Sequence, residues 1–234
     1  MSDIKFSIVV PCYNEASRGN FEDRIHRIQE FFEKYDDTEV IFINDGSRDD
    51  TVRVLHKMGA TCYGSRINHG KGFALMLGAR KSHGTYVVFM DADISVDMEM
   101  FDRFREDARY NSILICERKN RLTDRGFVRA LGSIVFQDAI SILFPVGVND
   151  TQCGFKLFPR RGLAYVAPYC RCTRWFYDIE LMYSLKQSGY YIKTYPVLWH
   201  SEDKSTLRVG IDSFRILVEF IDLVCRRRHL EYKY

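Results

Sequence analysis

No uninterrupted stretch of the sequence approaches the roughly 20 apolar residues that a membrane-spanning helix needs. No excess of one charge sign exists either: 34 Lys and Arg stand against 31 Asp and Glu, for a net charge of +3. That balance excludes a protein whose main business is coating nucleic acid, so no nucleic-acid partner is expected. The N-terminus runs from Met1–Lys5 straight into an apolar strand-like segment, without the small-residue cleavage site of a secretory leader. There is no internal repeat, no low-complexity stretch and no linker that would split the chain. The seven cysteines include no CxxC pair; Cys170 and Cys172 form a CxC pair, and no second pair or histidine cluster completes a zinc site. Reduced, mostly buried thiols in a cytoplasmic protein are therefore expected. What the sequence does have is a core. Hydrophobic residues make up 46% and aromatics 14%, which excludes disorder as the dominant state, and 234 residues suit one domain.

The first half alternates strand and helix signals. Phe6–Val10 is an apolar run stopped by Pro11, as a buried strand would be. Ile25, Ile28, Phe31, Phe32 and Tyr35 recur at helical spacing. Strands are expected at Val40–Ile43, Thr61–Ser65, Tyr86–Met90 and Ile113–Cys116, with helices at Lys71–Ser82 and Met98–Tyr110. Such alternation implies an α/β domain with a mostly parallel central sheet and helices on both faces. The second half is less regular. Helices are expected over Arg125–Phe144, Phe176–Gln187 and Ile211–Arg228, and a strand over Tyr190–Val197. Asp150–Phe158 reads only as a polar segment turning apolar.

In parallel α/β sheets ligands sit beyond the carboxyl ends of the strands. Here the loops at those ends are acidic: Pro11-Cys12-Tyr13-Asn14-Glu15, Asn44-Asp45-Gly46 and Asp91-Ala92-Asp93. Turn chemistry alone accounts for Asn-Asp-Gly but not for Glu15 and the paired aspartates at matching strand ends. Asp91 and Asp93, two apart on an extended chain, face one side and can hold a hard divalent cation whose other ligands are water and phosphate oxygens. Asp45 is placed to accept a hydrogen bond from a nucleobase imide N–H. Tyr13, Asn14 and Glu15 can reach base and ribose, with a helix cap as the plain alternative for Asn14. Asn68-His69-Gly70-Lys71-Gly72 is a glycine-flanked loop before a helix, which lets backbone approach phosphate while Lys71 adds charge.

Taken in order, Val9-Val10-Pro11-Cys12-Tyr13-Asn14-Glu15, Asn44-Asp45-Gly46-Ser47-Arg48-Asp49, Asn68-His69-Gly70-Lys71-Gly72 and Met90-Asp91-Ala92-Asp93 closely resemble glycosyltransferase family 2. Asp150-Thr151-Gln152-Cys153-Gly154-Phe155-Lys156-Leu157-Phe158 looks like the polyprenyl-phosphate branch of that family. The resemblance runs from Phe6 to about Ser205. It implies a single Rossmann-like nucleotide-sugar-binding domain of the glycosyltransferase A type. It also implies Mg2+ or Mn2+ as cofactor and inverting transfer of a hexose, glucose by preference, from a UDP-sugar to a polyprenyl phosphate. By the same resemblance Pro11, Tyr13, Asn14, Glu15, Asp45, Lys71, Gly72, Asp91 and Ala92 contact the nucleotide, and Asp91 and Asp93 the metal. Asp150 takes the place of the general base or, because a phosphate acceptor is already anionic near neutral pH, of a group that orients a lysine, an arginine or the sugar; Gln152 is a candidate hydrogen-bond partner of sugar or acceptor. Arg118, Arg129 and Ser133 match the positions that meet a lipid phosphate. Arginine suits planar, bidentate phosphate recognition. The sequence departs from its relatives where Cys116-Glu117-Arg118 replaces Gly-Ser-Arg.

Trp175, Asp178 and Glu180 are further candidates to face sugar or acceptor, each with a core or helix-start role as the alternative. Trp199–Ser205 resembles the family's late loop, which makes His200 a candidate metal or phosphate contact, with a plain surface-loop histidine as the alternative. The terminal helix gathers Ile211, Phe214, Leu217, Val218, Ile221, Val224 and Cys225 on one stripe, with Asp212, Arg215, Glu219 and Asp222 opposite and a basic tail after it. Residues 1–210 are read as the catalytic domain and 211–234 as this helix and tail. The stripe could dock on the core, pair with a second copy as a homo-oligomer, or lie peripherally on the cytoplasmic membrane face. Two rivals stay open: a saccharide hydroxyl as acceptor, and a non-catalytic nucleotide-sugar-binding subunit.

Overall fold

The computed structural model describes residues 4–119, 140–199 and 211–227. In chain order they form β1 (Phe6–Cys12), α1 (Phe21–Glu33), β2 (Thr38–Asp45), α2 (Thr51–Lys57), β3 (Cys62–Ser65) and α3 (Lys71–Lys81). There follow β4 (Tyr86–Phe89), α4 (Met100–Asp107), β5 (Ser112–Arg118), β6 (Lys156–Pro159), α5 (Arg160–Val166), α6 (Tyr177–Gln187), β7 (Tyr191–Val197) and α7 (Ile211–Arg226). The strands make one seven-stranded sheet in the order β3-β2-β1-β4-β6-β5-β7. All neighbouring pairs are parallel except the two made by β6, which runs antiparallel to both β4 and β5.

The pleat divides the core. Phe6, Ile8 and Val10 of β1 face one side of the sheet and join Phe32 of α1 and Phe101 and Phe104 of α4. Val9 faces the other side, with Leu75 of α3 and Ile179, Met182 and Tyr183 of α6. Both faces are covered, which is why β1 reads as a continuous apolar run rather than an alternating one. Phe21, Ile25, Ile28 and Phe32 of α1 are buried at helical spacing.

Element boundaries fall within two or three residues of expectation, with two additions and one correction. The polar-then-apolar segment ends in strand β6, and the seven-residue α5 follows it, too short for its periodicity to stand out. Of the helix expected over 125–144, residues 140–143 are helical and 120–139 lie outside the described residues. The correction concerns α7. Its docked face carries Leu223, fully buried, with Ile216, Phe220 and Val224 packed on the same core. Leu217, Val218 and Ile221 of the expected stripe are about half exposed, and Cys225 is exposed. Glu219, expected opposite the stripe, lies on the docked side, because backbone amides of the core need its carboxylate. The side chains of Ile211, Asp212 and Phe214 lie outside the described residues. Among the described residues no helix is long and apolar enough to cross a membrane. All seven cysteines are free; Cys12, Cys116, Cys153 and Cys172 are buried.

Helix α3 aims its N-terminus at the rim of the sheet, and it lies unusually close to β1 and β2. Gly78 permits this: a methyl there would overlap Val9 Cγ1 and crowd Ile43. Gly78→Ala is expected to lower unfolding free energy in urea by about 1–3 kcal/mol through overpacking, even though alanine gains roughly 1 kcal/mol of helix propensity over glycine. Unchanged stability would mean that α3 is not held this tightly.

Candidate active site

Parallel pairing brings the ends of β1, β2 and β4 to one edge. The loops that leave these strands, together with the first turn of α3, enclose a cavity of about 520 Å3. Pro11, Tyr13, Glu15, Asp45, Lys71, Asp91, Ala92 and Asp93 line it. Gln152, Arg174, Trp175, Tyr177 and Asp178 line it as well. Residues from six separate segments of the chain thus converge on one space.

Asp45 is buried, and its carboxylate organises the neighbouring loop. It accepts hydrogen bonds from Asn68 Nδ2 at 2.8 Å, His69 N at 2.9 Å and Gly70 N at 2.8 Å. Burial raises its pKa, and those N–H donors only partly oppose the rise. Asn14, in a left-handed backbone conformation, accepts from Arg48 N at 2.8 Å and does not line the cavity. Its side chain ties the β1 loop to the β2 loop. Glu15 lines the wall and is paired with Arg18 at 3.1 Å and Arg24 at 3.4 Å.

Lys71 Nζ lies 2.5 Å from Asp91. Burial works against its charge, but the carboxylates of Asp91 and Asp178 outweigh it and hold the ammonium above its ordinary pKa. Asp93 is raised, first by burial and then by the charge of Asp91. Two carboxylates that repel one another at a cavity wall fit a hard divalent cation. The described residues contain no group of three or more His, Cys, Asp or Glu that could hold a metal, so such a cation would complete its sphere with ligand oxygens and water. Gly154 keeps the space beside this pair, since a methyl there would overlap the Asp91 carboxylate.

Asp150, carried over as the general base or as a group that orients a lysine, an arginine or the sugar, is paired with an arginine. It is 1% exposed, is absent from the cavity wall, and forms a two-pronged pair with Arg118, Nε to Oδ2 at 2.5 Å and Nη2 to Oδ1 at 2.8 Å. Glu117 turns toward this same turn and accepts from Asn149 N at 3.1 Å. The Arg118 guanidinium also lies 5.1 Å from the Trp199 ring centroid. Gln152 reaches the cavity and Gly72 is buried behind it. Arg129, Ser133 and His200 lie outside the described residues. Trp175 and Asp178 are on the wall, whereas Glu180 is fully buried beneath it.

Three participants were not foreseen. Arg18 and Arg174 line the cavity, and Lys156 forms a buried ion pair with Asp178 below it. Arg174 immediately precedes the Trp175–Asp178 segment that the sequence does mark. Lys156 had a signal as well: a lone cation inside an apolar strand needs a buried partner.

Carboxylates, a lysine and arginines thus converge on a strand-end cavity of a mostly parallel α/β sheet, an arrangement suited to an anionic ligand carried with a hard cation. The chain belongs to glycosyl transferase family 2, whose model matches residues 7–165. It is 31% identical over 229 residues to the dolichyl-phosphate beta-glucosyltransferase of Dictyostelium discoideum, covering 88% of this chain and 70% of that one. With the human protein of the same name it shares 32% over 202 residues, 76% of this chain and 62% of the other. Among solved structures, glucosyl-3-phosphoglycerate synthase from Mycobacterium tuberculosis, in complex with Mn2+, UDP-glucose and phosphoglyceric acid, superposes with a TM-score of 0.70 at 17% identity. That alignment covers 94% of this chain and 80% of the synthase, and it shows the shared fold.

The Lys156–Asp178 pair gives a direct test of how the cavity floor is held. Lys156→Met removes the hydrogen-bonded counter-ion of a buried carboxylate, leaving it only the Lys71 charge, and is expected to cost about 3–5 kcal/mol in urea denaturation. Adding Asp178→Leu to that variant should recover much of the loss, because the uncompensated charge is gone. Equal stability of wild type and Lys156→Met would contradict the buried pair.

Proposed function

We propose that this chain transfers glucose from UDP-glucose to a polyprenyl phosphate, with inversion at the sugar C1. The observation that carries the reading is the convergence of Asp45, Lys71, Asp91, Asp93 and Gln152 on one cavity, in a chain about one-third identical to dolichyl-phosphate glucosyltransferases. Residues 1–210 are assigned as the transferase unit and 211–234 as its terminal helix and tail.

Asp45 is assigned to the base: it fixes the 68–70 loop and retains acceptor capacity for an imide N–H at the wall. Pro11, Tyr13 and Glu15 flank the nucleoside, and Asn14 keeps their loop in place through Arg48. Lys71 and Arg174 stand where a diphosphate would lie, at the positive end of α3. Asp91 and Asp93 are the assigned ligands of a divalent cation, Mg2+ or Mn2+, which would neutralise charge on the departing diphosphate. Gln152 is placed to hydrogen-bond the sugar or the acceptor.

In the transfer a phosphate oxygen of the lipid attacks C1 from the side opposite UDP. A new C1–O bond forms as the bond from C1 to the diphosphate breaks, and the electron pair leaves with UDP. The attacking oxygen is already anionic near neutral pH, so no proton need be removed. This fits an Asp150 that is buried and committed to Arg118. We assign Asp150 to orienting the Arg118 guanidinium for the acceptor phosphate, with Arg129 and Ser133 as further contacts. A saccharide hydroxyl acceptor would instead need a free base at Asp150. The lipid is reached from outside the bilayer, so the enzyme is assigned peripherally to the cytoplasmic membrane face.

The test is incubation with UDP-glucose, Mg2+ or Mn2+ and a polyprenyl phosphate, followed by extraction of the lipid. Glucosylated lipid is expected. Binding of UDP without transfer to any lipid phosphate would contradict the acceptor assignment. For Asp150→Asn, acceptor KM is expected to rise about tenfold, the loss of one charged hydrogen bond, with donor KM little changed. Complete loss of turnover at saturating acceptor would restore Asp150 as the base.

A further inference from the structure

The segment 171–175 carries Arg174 and Trp175 on the cavity wall, yet it belongs to neither helix nor strand. Its five consecutive amide N–H groups find partners in two carboxylates. Glu180 Oε2 accepts from Arg171 N at 2.8 Å and Cys172 N at 2.6 Å. Glu219 Oε1 accepts from Thr173 N at 3.0 Å and Arg174 N at 3.1 Å, and Glu219 Oε2 from Trp175 N at 2.9 Å. The other Glu180 oxygen pairs with Arg226 at 2.6 Å. Glu219 and Arg226 both belong to α7. One helix therefore supplies the acceptor for three of these amides and the counter-charge of the acceptor for the other two.

On its opposite side the segment reaches the donor wall. The Thr173 carbonyl accepts from Gly72 N at 2.8 Å, at the first turn of α3 beside Lys71. The Arg174 guanidinium donates to the Asn68 carbonyl at 3.1 Å, and Asn68 Nδ2 in turn donates to Asp45. A continuous set of hydrogen bonds thus links α7 to both the Lys71 turn and the Asp45 loop. A glutamate among Ile216, Phe220 and Leu223 is a poor choice for simple helix docking, where an apolar residue would pack without desolvating a charge. Its position is accounted for by the three amides that it fixes.

We propose that Glu219 is a positioning residue of the donor site. Through it α7 holds 173–175 in the conformation that presents Arg174 and Trp175 to the nucleotide-sugar and pins the first turn of α3. The terminal helix is then part of the donor-binding machinery rather than an appendage to it. This rests on the reading of the cavity as a nucleotide-sugar site.

The experiment compares the full-length wild type with Glu219→Ala, Glu219→Gln and Leu217→Ala, the last on the exposed face of the same helix. UDP binding by calorimetry, steady-state constants for both substrates and melting temperature are measured for each. Glu219→Ala is expected to raise the UDP Kd and the donor KM about tenfold, while kcat and acceptor KM change less than twofold. Glu219→Gln keeps one carbonyl oxygen for Thr173 and Arg174 but sets an amide donor against Trp175 N–H. A rise of about threefold is expected for it, in a near-isosteric variant that retains the fold. Leu217→Ala should bind as wild type does. Wild-type UDP affinity in both Glu219 variants would overturn the inference. So would losses in kcat and both KM values that simply track a falling melting temperature. A wild-type chain that binds no UDP would overturn the donor reading itself, and this inference with it.

Discussion

Crowding of negative charge at one edge of the sheet is the constraint on which the rest of this structure depends. Asp45, Asp91, Asp93 and Asp178 all reach the same cavity. Burial and mutual repulsion raise the pKa of Asp93, and burial raises those of Asp45 and Asp178. Left alone, such carboxylates would protonate or force the site open. Asp45, Asp91 and Asp178 are each answered from a different direction. Lys71 meets Asp91, Lys156 meets Asp178 from the core, and three N–H donors of the 68–70 loop meet Asp45. A divalent cation and its diphosphate supply the remaining balance in the proposed function.

That compensation explains features that look unrelated. Gly78 lets α3 lie close enough to the sheet for Lys71 to stand at the rim. Strand β6 is inserted antiparallel between β4 and β5, which carries Lys156 beneath Asp178 and sets Gly154 beside Asp91. The Arg118–Asp150 pair stands apart from the donor cavity, off its wall. In the proposed function, donor and acceptor chemistry would be divided between two charge clusters of opposite design. One has excess carboxylate and waits for a cation; the other has an arginine already oriented by its carboxylate.

The cavity half of this arrangement was legible in the sequence because parallel β-α repeats place every strand-end loop on one rim. The motif residues Glu15, Asp45, Lys71, Asp91 and Asp93 needed only that rule to be brought together. What escaped was set by contacts distant in sequence. Lys156 sits in an apolar run whose antiparallel pairing no local period reveals. Arg174 is positioned by Glu219, 45 residues further on. The stripe on α7 was only partly right because the helix carries apolar residues on two sides: Val224 packs with Ile216, Phe220 and Leu223, and the three amides that donate to Glu219 lie on that same side. Asp150 was found, but its burial against Arg118 follows from a turn geometry that spacing does not encode.

Cation dependence of donor binding tests the central claim most directly. Calorimetric titration of UDP into the wild-type chain, with and without Mn2+, should show tight binding only when the cation is present, and Asp93→Asn should remove most of that difference. Equal affinity for UDP in the presence and absence of the cation would mean that the crowded carboxylates are balanced by the protein alone, and would contradict the account.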